Sequence, residues 1–524
     1  MKYLVVLGAV TACNAPVATV ASDPVRGPSM DQFEDVTSES GVTFYFTTPD
    51  FKAGGLAVAD LDRDGLPDIL ATRRAGGLSL FHNMGGLRFE EVTTSGLDPQ
   101  AAISAIAAVD LDNDGDLDLV LAGDNHAYVM ANAGDGTFKQ VLALSDTGHT
   151  EHVLAADLDG DGLVDLYFGN YDTTSLGGNT INRLYMNRGN LELAPPILLG
   201  AGCTWTTTAF DFDGDGDQDL YVANDTLLVD FGRPVGTESL TSILLPDLML
   251  RNDGPGPDGT LQFTDIAGET GLATPRSSMG GVLGDLDGDG TLDLFVPNEG
   301  AKKLFLHPQS IPERFVEAAS DLGVTAIARS TPECGPGTEV EACLLLSWGA
   351  VLSDFDLDGY DELLVDNGET VLGEPPPMVM FTRRSDVAFH EVSPNIAQLD
   401  ARGMVATDLD GDGDQDLVIS QREGPLVIYR NLMRPAVGTW LAVTLHGHTS
   451  NIQGLGAVVT VHLASGRTQM RAVGSGGMIN TSSPAEAHFG LGREVVTALE
   501  VQWPSGRKST LAGPVHGSLV IDEP

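Results

Sequence analysis

Seven times along the chain a run of small apolar residues breaks at an acidic turn and resumes as a run of larger apolar residues. The leading runs include Gly55-Leu56-Ala57-Val58-Ala59, Ile103 to Val109, Met279 to Gly284 and Gly403 to Thr407. The following runs include Asp68-Ile69-Leu70, Asp118-Leu119-Val120-Leu121 and Asp416-Leu417-Val418-Ile419. Short apolar runs of this kind, bounded by turn residues, read as buried strands. A third strand follows in most units, as in Leu78-Ser79-Leu80-Phe81, Leu184-Tyr185-Met186-Asn187 and Lys303-Leu304-Phe305-Leu306. A fourth follows as Arg88 to Val92, Gln262 to Ile266 or Phe389 to Val392. Four strands per unit, recurring every 47 to 74 residues, predict an all-β, seven-bladed β-propeller. Ala and Gly suit the first strands because the innermost strands of a propeller converge on a crowded axis.

The seventh unit has a third strand, Leu426-Val427-Ile428-Tyr429, and no fourth. Near the other end, Phe33-Glu34-Asp35-Val36-Thr37 fits the fourth-strand pattern and precedes the first unit. The N-terminal strand is therefore expected to complete the last blade and leave no open seam. From about Pro435 the pattern changes to alternation, as in Trp440 to Leu445, Gly456 to Leu463, Gln469 to Val473, Glu486 to Phe489 and Leu499 to Trp503, with a last strand near Ser509 to Leu511. That predicts a small β-module. The expected domains are a signal segment at 1–21, the propeller at 22–434 and the β-module at 435–524.

The turns carry the chemistry. Each is nine residues long, with Asp at positions 1, 3 and 5, Gly at 6 and a carboxylate at 9. The sets are Asp60, Asp62, Asp64 and Asp68; Asp110, Asp112, Asp114 and Asp118; Asp157, Asp159, Asp161 and Asp165; Asp211, Asp213, Asp215 and Asp219; Asp285, Asp287, Asp289 and Asp293; Asp354, Asp356, Asp358 and Glu362; Asp408, Asp410, Asp412 and Asp416. Alternating oxygen ligands on a tight loop suit a hard cation, above all Ca2+, and the Gly supplies a positive φ that folds the loop over it. An EF-hand would place a bidentate Glu at position 12, where these units have Ala71, Leu121, Phe168, Val222, Val296, Val365 and Ile419. The ions are thus expected in strand–loop–strand hairpins, with position 7 offering its carbonyl. Up to seven Ca2+ would be bound.

The net charge is −46, and seven divalent ions would leave −32, which argues against nucleic acid as a partner. Clustered carboxylates repel one another, so metal and folding are expected to be coupled. The chain starts with Met1-Lys2-Tyr3 and an apolar stretch, then Val10-Thr11-Ala12-Cys13, which resembles a bacterial lipobox with Cys13 lipidated. The alternative is a secretory signal cut after Ala21. Either makes the protein exported, as a cell-envelope lipoprotein (outer membrane or cell surface) or a secreted one. The only membrane attachment expected is that lipid anchor, and the expected state is monomeric. Cys334 and Cys343 flank a Gly/Pro-rich loop and are read as a local disulfide, leaving Cys203 as a buried thiol.

Three long loops, Asn170 to Asn182, Asn224 to Leu248 and Asp366 to Pro377, join second to third strands, and Val324 to Leu345 connects two blades. Hairpin geometry puts all four on the face opposite the metal turns, where recognition would reside. Trp205, Met279 and Trp348 lie in or beside first strands and could line an axial pocket. His149-Thr150-Glu151-His152 reads as an exposed connector, and His446-Gly447-His448 as a strand end followed by a turn. No Gly-x-Ser-x-Gly elbow, phosphate loop or His-Glu-x-x-His site is present.

The Asp-x-Asp-x-Asp-Gly-x-x-Asp units resemble the FG-GAP/VCBS repeats of integrin-alpha-type propellers over roughly residues 31–434. Gly454-Leu455-Gly456-Ala457, His488 to Gly492 and Val501 to Gly506 resemble the ASPIC/UnbV domain. Together the architecture is similar to the cartilage acidic protein family and its bacterial lipoprotein relatives. The resemblance implies Ca2+ bound by positions 1, 3, 5 and 9, with Glu362 as the departure. The expected function is a non-enzymatic, Ca2+-stabilised scaffold that binds an extracellular protein or glycan through its long-loop face. The alternatives are a carbohydrate lyase or hydrolase in the axial funnel, an idea that rests on the fold alone, and a structural adhesion module.

Overall fold

A computed structural model describes residues 32–48, 52–171, 180–225, 227–228, 242–243, 245–273, 277–325, 346–368, 375–383, 388–433, 439–474, 476 and 478–524. The signal segment with Cys13, most of the long-loop residues, and Cys334 with Cys343 lie outside the described residues. The described chain is all-β apart from three helices of four residues.

Each acidic turn is a hairpin between the first and second strands of an antiparallel sheet. Units one, four, five and six each have four strands in chain order, as in Leu56–Ala59, Asp68–Thr72, Leu78–Asn83 and Phe89–Glu91, with the short pair Leu227–Leu228 and Ser242–Ile243 inserted in unit four. Units two and three share a six-stranded sheet. In it Asp118–Asn132 carries the second and third strands of unit two, and Phe138–Ala156 carries its fourth strand before becoming the first strand of unit three. In the seventh unit the fourth place is taken from the N-terminus: Phe33 pairs with Asn431 and Asp35 with Tyr429. The chain's first strand therefore completes its last sheet.

Seven apolar clusters, one between each unit and the next, join the sheets into a ring. The cluster that joins unit seven to unit one contains Val405, Val418 and Ile428 with Leu56, Ile69 and Phe81, and Val36, Val42 and Phe44 lie in it. Interlocking of this kind leaves only short sheet edges.

Residues 439–524 form their own sheets around Leu441, Val459, Phe489, Leu499 and Trp503. A strand beyond the last one expected, Gly517–Asp522, pairs in parallel with Thr439–His446. Alternation hid it, because three of its six residues are exposed.

This module does not stand apart from the ring. It lies over the acidic hairpins, and its segment 478–482 runs down the propeller axis. Thr481 and Ser482 pair in parallel with Leu56 and Ala57 of unit one. The Leu56 N–H donates to the Asn480 carbonyl (2.9 Å), and the Ala108 N–H of unit two donates to Ser482 Oγ (3.1 Å). Thr208 of unit four bridges to Gly476. The Ala350 N–H of unit six points at Met478 Sδ (2.9 Å). The small residues of the first strands now have a specific cause. A Cβ at Gly349 would sit 2.2 Å from Met478 Sδ, and one at Gly403 would sit 2.6 Å from Thr481 Cγ2. The axis is crowded by the inserted tail segment as well as by converging strands.

Candidate metal centre

All seven hairpins have one local design. Gly at position 6 has a positive φ throughout, from 86° at Gly162 and Gly290 to 102° at Gly216. Position 4 is left-handed as well: Gly160, Gly214, Gly288 and Gly411, but also Arg63, Asn113 and Leu357. The position 1 carboxylate accepts the N–H of position 6, as from Gly65 to Asp60 (3.0 Å) and Gly413 to Asp408 (2.8 Å). The position 9 carboxylate accepts the N–H of position 2 in every unit, for example Leu158 to Asp165 (3.0 Å) and Phe355 to Glu362 (3.0 Å).

This framework turns the side chains at positions 1, 3 and 9 toward one point. Ligand oxygens of Asp110, Asp112 and Asp118 lie within 4.8 Å of one another, as do those of Asp157, Asp159 and Asp165, and of Asp211, Asp213 and Asp219. Position 5 closes the turn with one oxygen, and in unit one its carboxylate, Asp64, also clusters with Asp62 and His82. The position 5 carboxylate accepts the N–H of position 7, as from Leu66 to Asp64 (2.9 Å) and Tyr360 to Asp358 (2.9 Å).

Such convergence is unfavourable without a cation. Burial, reinforced by the neighbouring carboxylates, raises position 9 to about 6 at Asp68, about 7 at Asp118, Asp219 and Asp416, and about 8 at Asp165 and Asp293. Glu362 and Asp354 are pushed well above the carboxylate range for the same reason. Asp112 Oδ1 and Asp410 Oδ1 are buried with no hydrogen-bond donor. Buried oxygens left without a donor, beside others of like charge, fit a bound divalent cation.

The seven hairpins are not identical. In unit one His82 enters the site, with Nδ1 2.9 Å from Asp62 Oδ2 and 3.2 Å from Asp68 Oδ1. In unit seven Arg430 lies 3.6 Å from Asp410. Unit six departs furthest, with Leu357 in the left-handed region and Glu362 at position 9. It is also the hairpin most engaged by the C-terminal module. Arg467 and Gln469 donate to the Gly359 carbonyl, Arg471 pairs with Asp361, and the Gly492 N–H donates to the Leu357 carbonyl.

Sequence reasoning missed a residue that ties the hairpins together. An Asn lies at or near the end of the third strand of five units: Asn83, Asn132 and Asn431 end it, Asn187 lies just beyond Ile181–Tyr185, and Asn252 lies within Leu248–Pro255. Its backbone N–H donates to the position 9 carboxylate of its own unit, as from Asn132 to Asp118 (3.0 Å). Its side-chain amide donates to the position 2 carbonyl of the preceding unit: Asn83 to Leu409 (2.9 Å), Asn132 to Leu61 (2.8 Å), Asn187 to Leu111 (2.7 Å), Asn252 to Leu158 (2.7 Å) and Asn431 to Phe355 (2.9 Å). Unit six uses Arg383, which donates to the Leu286 carbonyl. The signal was the recurrence of Asn fourteen or more residues after position 9. Asn132→Ala is expected to destabilise the protein by about 2–3 kcal/mol, since two buried carbonyls lose their donor. It should also weaken metal binding by the adjoining hairpins. Urea unfolding with Ca2+ present checks the first effect and Ca2+ titration the second.

On the axis, Trp205, Trp348 and Met279 are buried with Tyr171, Cys203, Leu346 and Ile479, so the expected pocket is packed among the described residues. Tyr171 stacks on Trp205 (ring centroids 4.1 Å), Lys52 Nζ lies 4.6 Å from the Tyr171 ring, and the Arg402 guanidinium lies 4.2 Å from Trp348. The stretch His149 to His152 is not an exposed connector. Thr150, Glu151 and His152 are buried, because they start an innermost strand, and Glu151 pairs with Lys52 and Arg74 at 2.6 Å each. Burial lowers His152 to about 4.

Comparisons with known proteins find the same two kinds of module. A model described as FG-GAP-like repeat matches residues 60–121 and 110–168, and one described as ASPIC and UnbV matches residues 447–524. Cartilage acidic protein 1 of Homo sapiens is 24% identical over 498 residues, covering 79% of this chain and 71% of the relative. The Xenopus tropicalis protein of that name is 26% identical over 500 residues, covering 80% and 73%. Among solved structures, one of BBS1N in complex with ARL6DN is similar with a TM-score of 0.41 at 13% identity, covering 76% of this chain and 94% of that one. The chain carries FG-GAP-like repeats followed by an ASPIC and UnbV domain, and it is homologous to cartilage acidic protein 1.

Proposed function

We propose that this chain is an exported Ca2+-loaded scaffold that binds a protein or glycan through the face opposite its acidic hairpins. A repeat propeller joined to an ASPIC and UnbV domain supports a scaffold or binding role, and neither matching family model describes an enzyme. The carrying observation is the placement of the C-terminal module. It covers the hairpin face and enters the axis, so the opposite face is the one left for a partner. Positions 1, 3, 5 and 9 of each hairpin would hold Ca2+, with position 5 also keeping the turn closed. Bound Ca2+ supplies charge neutralisation and a fixed bridge between the first and second strands. Export and a lipidated Cys13 belong to the same proposal, on the strength of the N-terminal segment.

A second reading draws on two axial groups. Burial raises Asp366 to about 7 and lowers Lys302 to about 7, and Arg402 lies close by. Paired groups with opposite shifts are the pattern of an acid–base site for a carbohydrate, but the packed axis buries all three, which makes this the weaker reading. One experiment separates the readings. The Ca2+-loaded protein is screened against glycans and extracellular proteins, with product analysis on every hit. The expected outcome is saturable binding without product, lost when the Asp366 to Pro377 loop is exchanged for a short Gly/Ser turn. Product formation that disappears in Asp366→Asn would establish the enzyme instead.

A further inference from the structure

We propose that His446, His448 and Asp522 form a transition-metal site on the C-terminal module, separate from the acidic hairpins. His446 ends the strand Thr439–His446, Asp522 ends Gly517–Asp522, and the parallel register sets the two directly opposite. His446 Nδ1 lies 2.9 Å from Asp522 Oδ1, and His448 Nε2 lies 3.8 Å from the same oxygen. One ligand atom from each residue falls within 4.8 Å of the other two. The imidazole rings meet edge to face, with centroids 4.9 Å apart.

The backbone that carries these side chains is held in place. Glu523, next to Asp522, is buried, and its Oε2 accepts the N–H groups of His448 (2.7 Å), Thr449 (2.6 Å) and Ser450 (2.8 Å). The Glu523 N–H donates to the His446 carbonyl (2.9 Å), and the Gly447 N–H donates to the Ile452 carbonyl (2.9 Å). A Cβ on Gly447 would lie 2.1 Å from the Asn451 carbonyl oxygen, so the residue between the two imidazoles has to be Gly. The three ligand side chains remain half-exposed on this fixed frame.

Two imidazole nitrogens and one carboxylate oxygen are a borderline donor set. It suits Zn2+ or Cu2+ and is poor for Ca2+, which takes oxygen ligands. Three protein ligands leave at least one position for water or a ligand. His446 also lines an open cavity of about 710 Å³ between the module and the hairpins of units one, two and seven.

The test uses the full mature chain without a polyhistidine tag, saturated with Ca2+ so that the hairpins are occupied. Zn2+ is titrated by calorimetry and by competition with a chromogenic chelator. One Zn2+ equivalent that excess Ca2+ does not displace is expected. His448→Ala and Asp522→Asn should each weaken it at least tenfold and leave the Ca2+-dependent melting temperature unchanged. Because the His448 side chain is exposed, its loss should not disturb folding. An isotherm unaltered by both substitutions overturns the proposal, and so does a Zn2+ equivalent that vanishes in His82→Ala, which would place the ion in the hairpin of unit one.

Discussion

Excess chelator is expected to lower the melting temperature of this protein by at least about 15 °C at pH 7.5. A site filled at a hundred times its dissociation constant contributes about 2.7 kcal/mol, and 1 kcal/mol moves the midpoint of a large domain by about 2 °C or more. Even three or four occupied hairpins would reach that figure. The pH dependence should invert with the metal. Position 9 carboxylates sit at about 6 to 8 in the folded chain, above their unfolded values, mainly through burial. Between about pH 4 and pH 8 the ion-free folded chain therefore holds more protons than the unfolded chain, and its stability falls as pH rises through that window. With Ca2+ present the ion requires the deprotonated groups, so its stabilisation is lost as pH falls through the same window. A midpoint that moves by less than about 2 °C on chelation would refute occupied hairpins.

The second large effect is expected at Ile479. This residue belongs to the C-terminal module but is buried in the axial cluster with Trp205, Trp348, Met279 and Tyr171. Ile479→Ala should cost about 2–5 kcal/mol, as for a large-to-small change in a packed core. Ile479→Asp should cost more, because a carboxylate would lie without a partner among aromatic rings. Both are read by urea unfolding followed by Trp fluorescence, which reports on the axis because two of the four Trp residues stand there. A chain ending at residue 434 should fail to give a cooperative transition. If the truncated chain melts like the full one, the tail segment is an ornament and the axis is stable without it.

How much of this was legible in the sequence depended on periodicity. Asp at alternate positions, seven times over, marks the hairpins because no ordinary turn requires it, and the apolar residue at position 12 excluded the helical alternative. The strand Phe33–Asp35 was legible because the last unit lacked a partner that the first could supply. The Asn near the end of the third strand was harder, since a single polar residue near a strand end has many roles and only the neighbouring unit's carbonyl reveals this one. The axial segment was harder still. Gly474 to Ser483 is rich in Gly and Ser, a composition common to loops, and nothing local says that the ring takes it in. His149 to His152 misled for a related reason: a polar run looks solvated until Lys52, nearly a hundred residues away, brings Glu151 a counter-charge. Long-range partners of this kind leave no trace in hydrophobic spacing.

Ring closure through Phe33–Asp35 and Val427–Asn431 sets an order of events for a chain made N-terminus first. The opening strand emerges at once but has nothing to pair with until almost 400 residues more have followed it. The segment that enters the axis arrives later still. Assembly is therefore deferred until nearly the whole chain is present, when ring and tail meet. Contacts so distant in sequence make slow folding intrinsic to the topology.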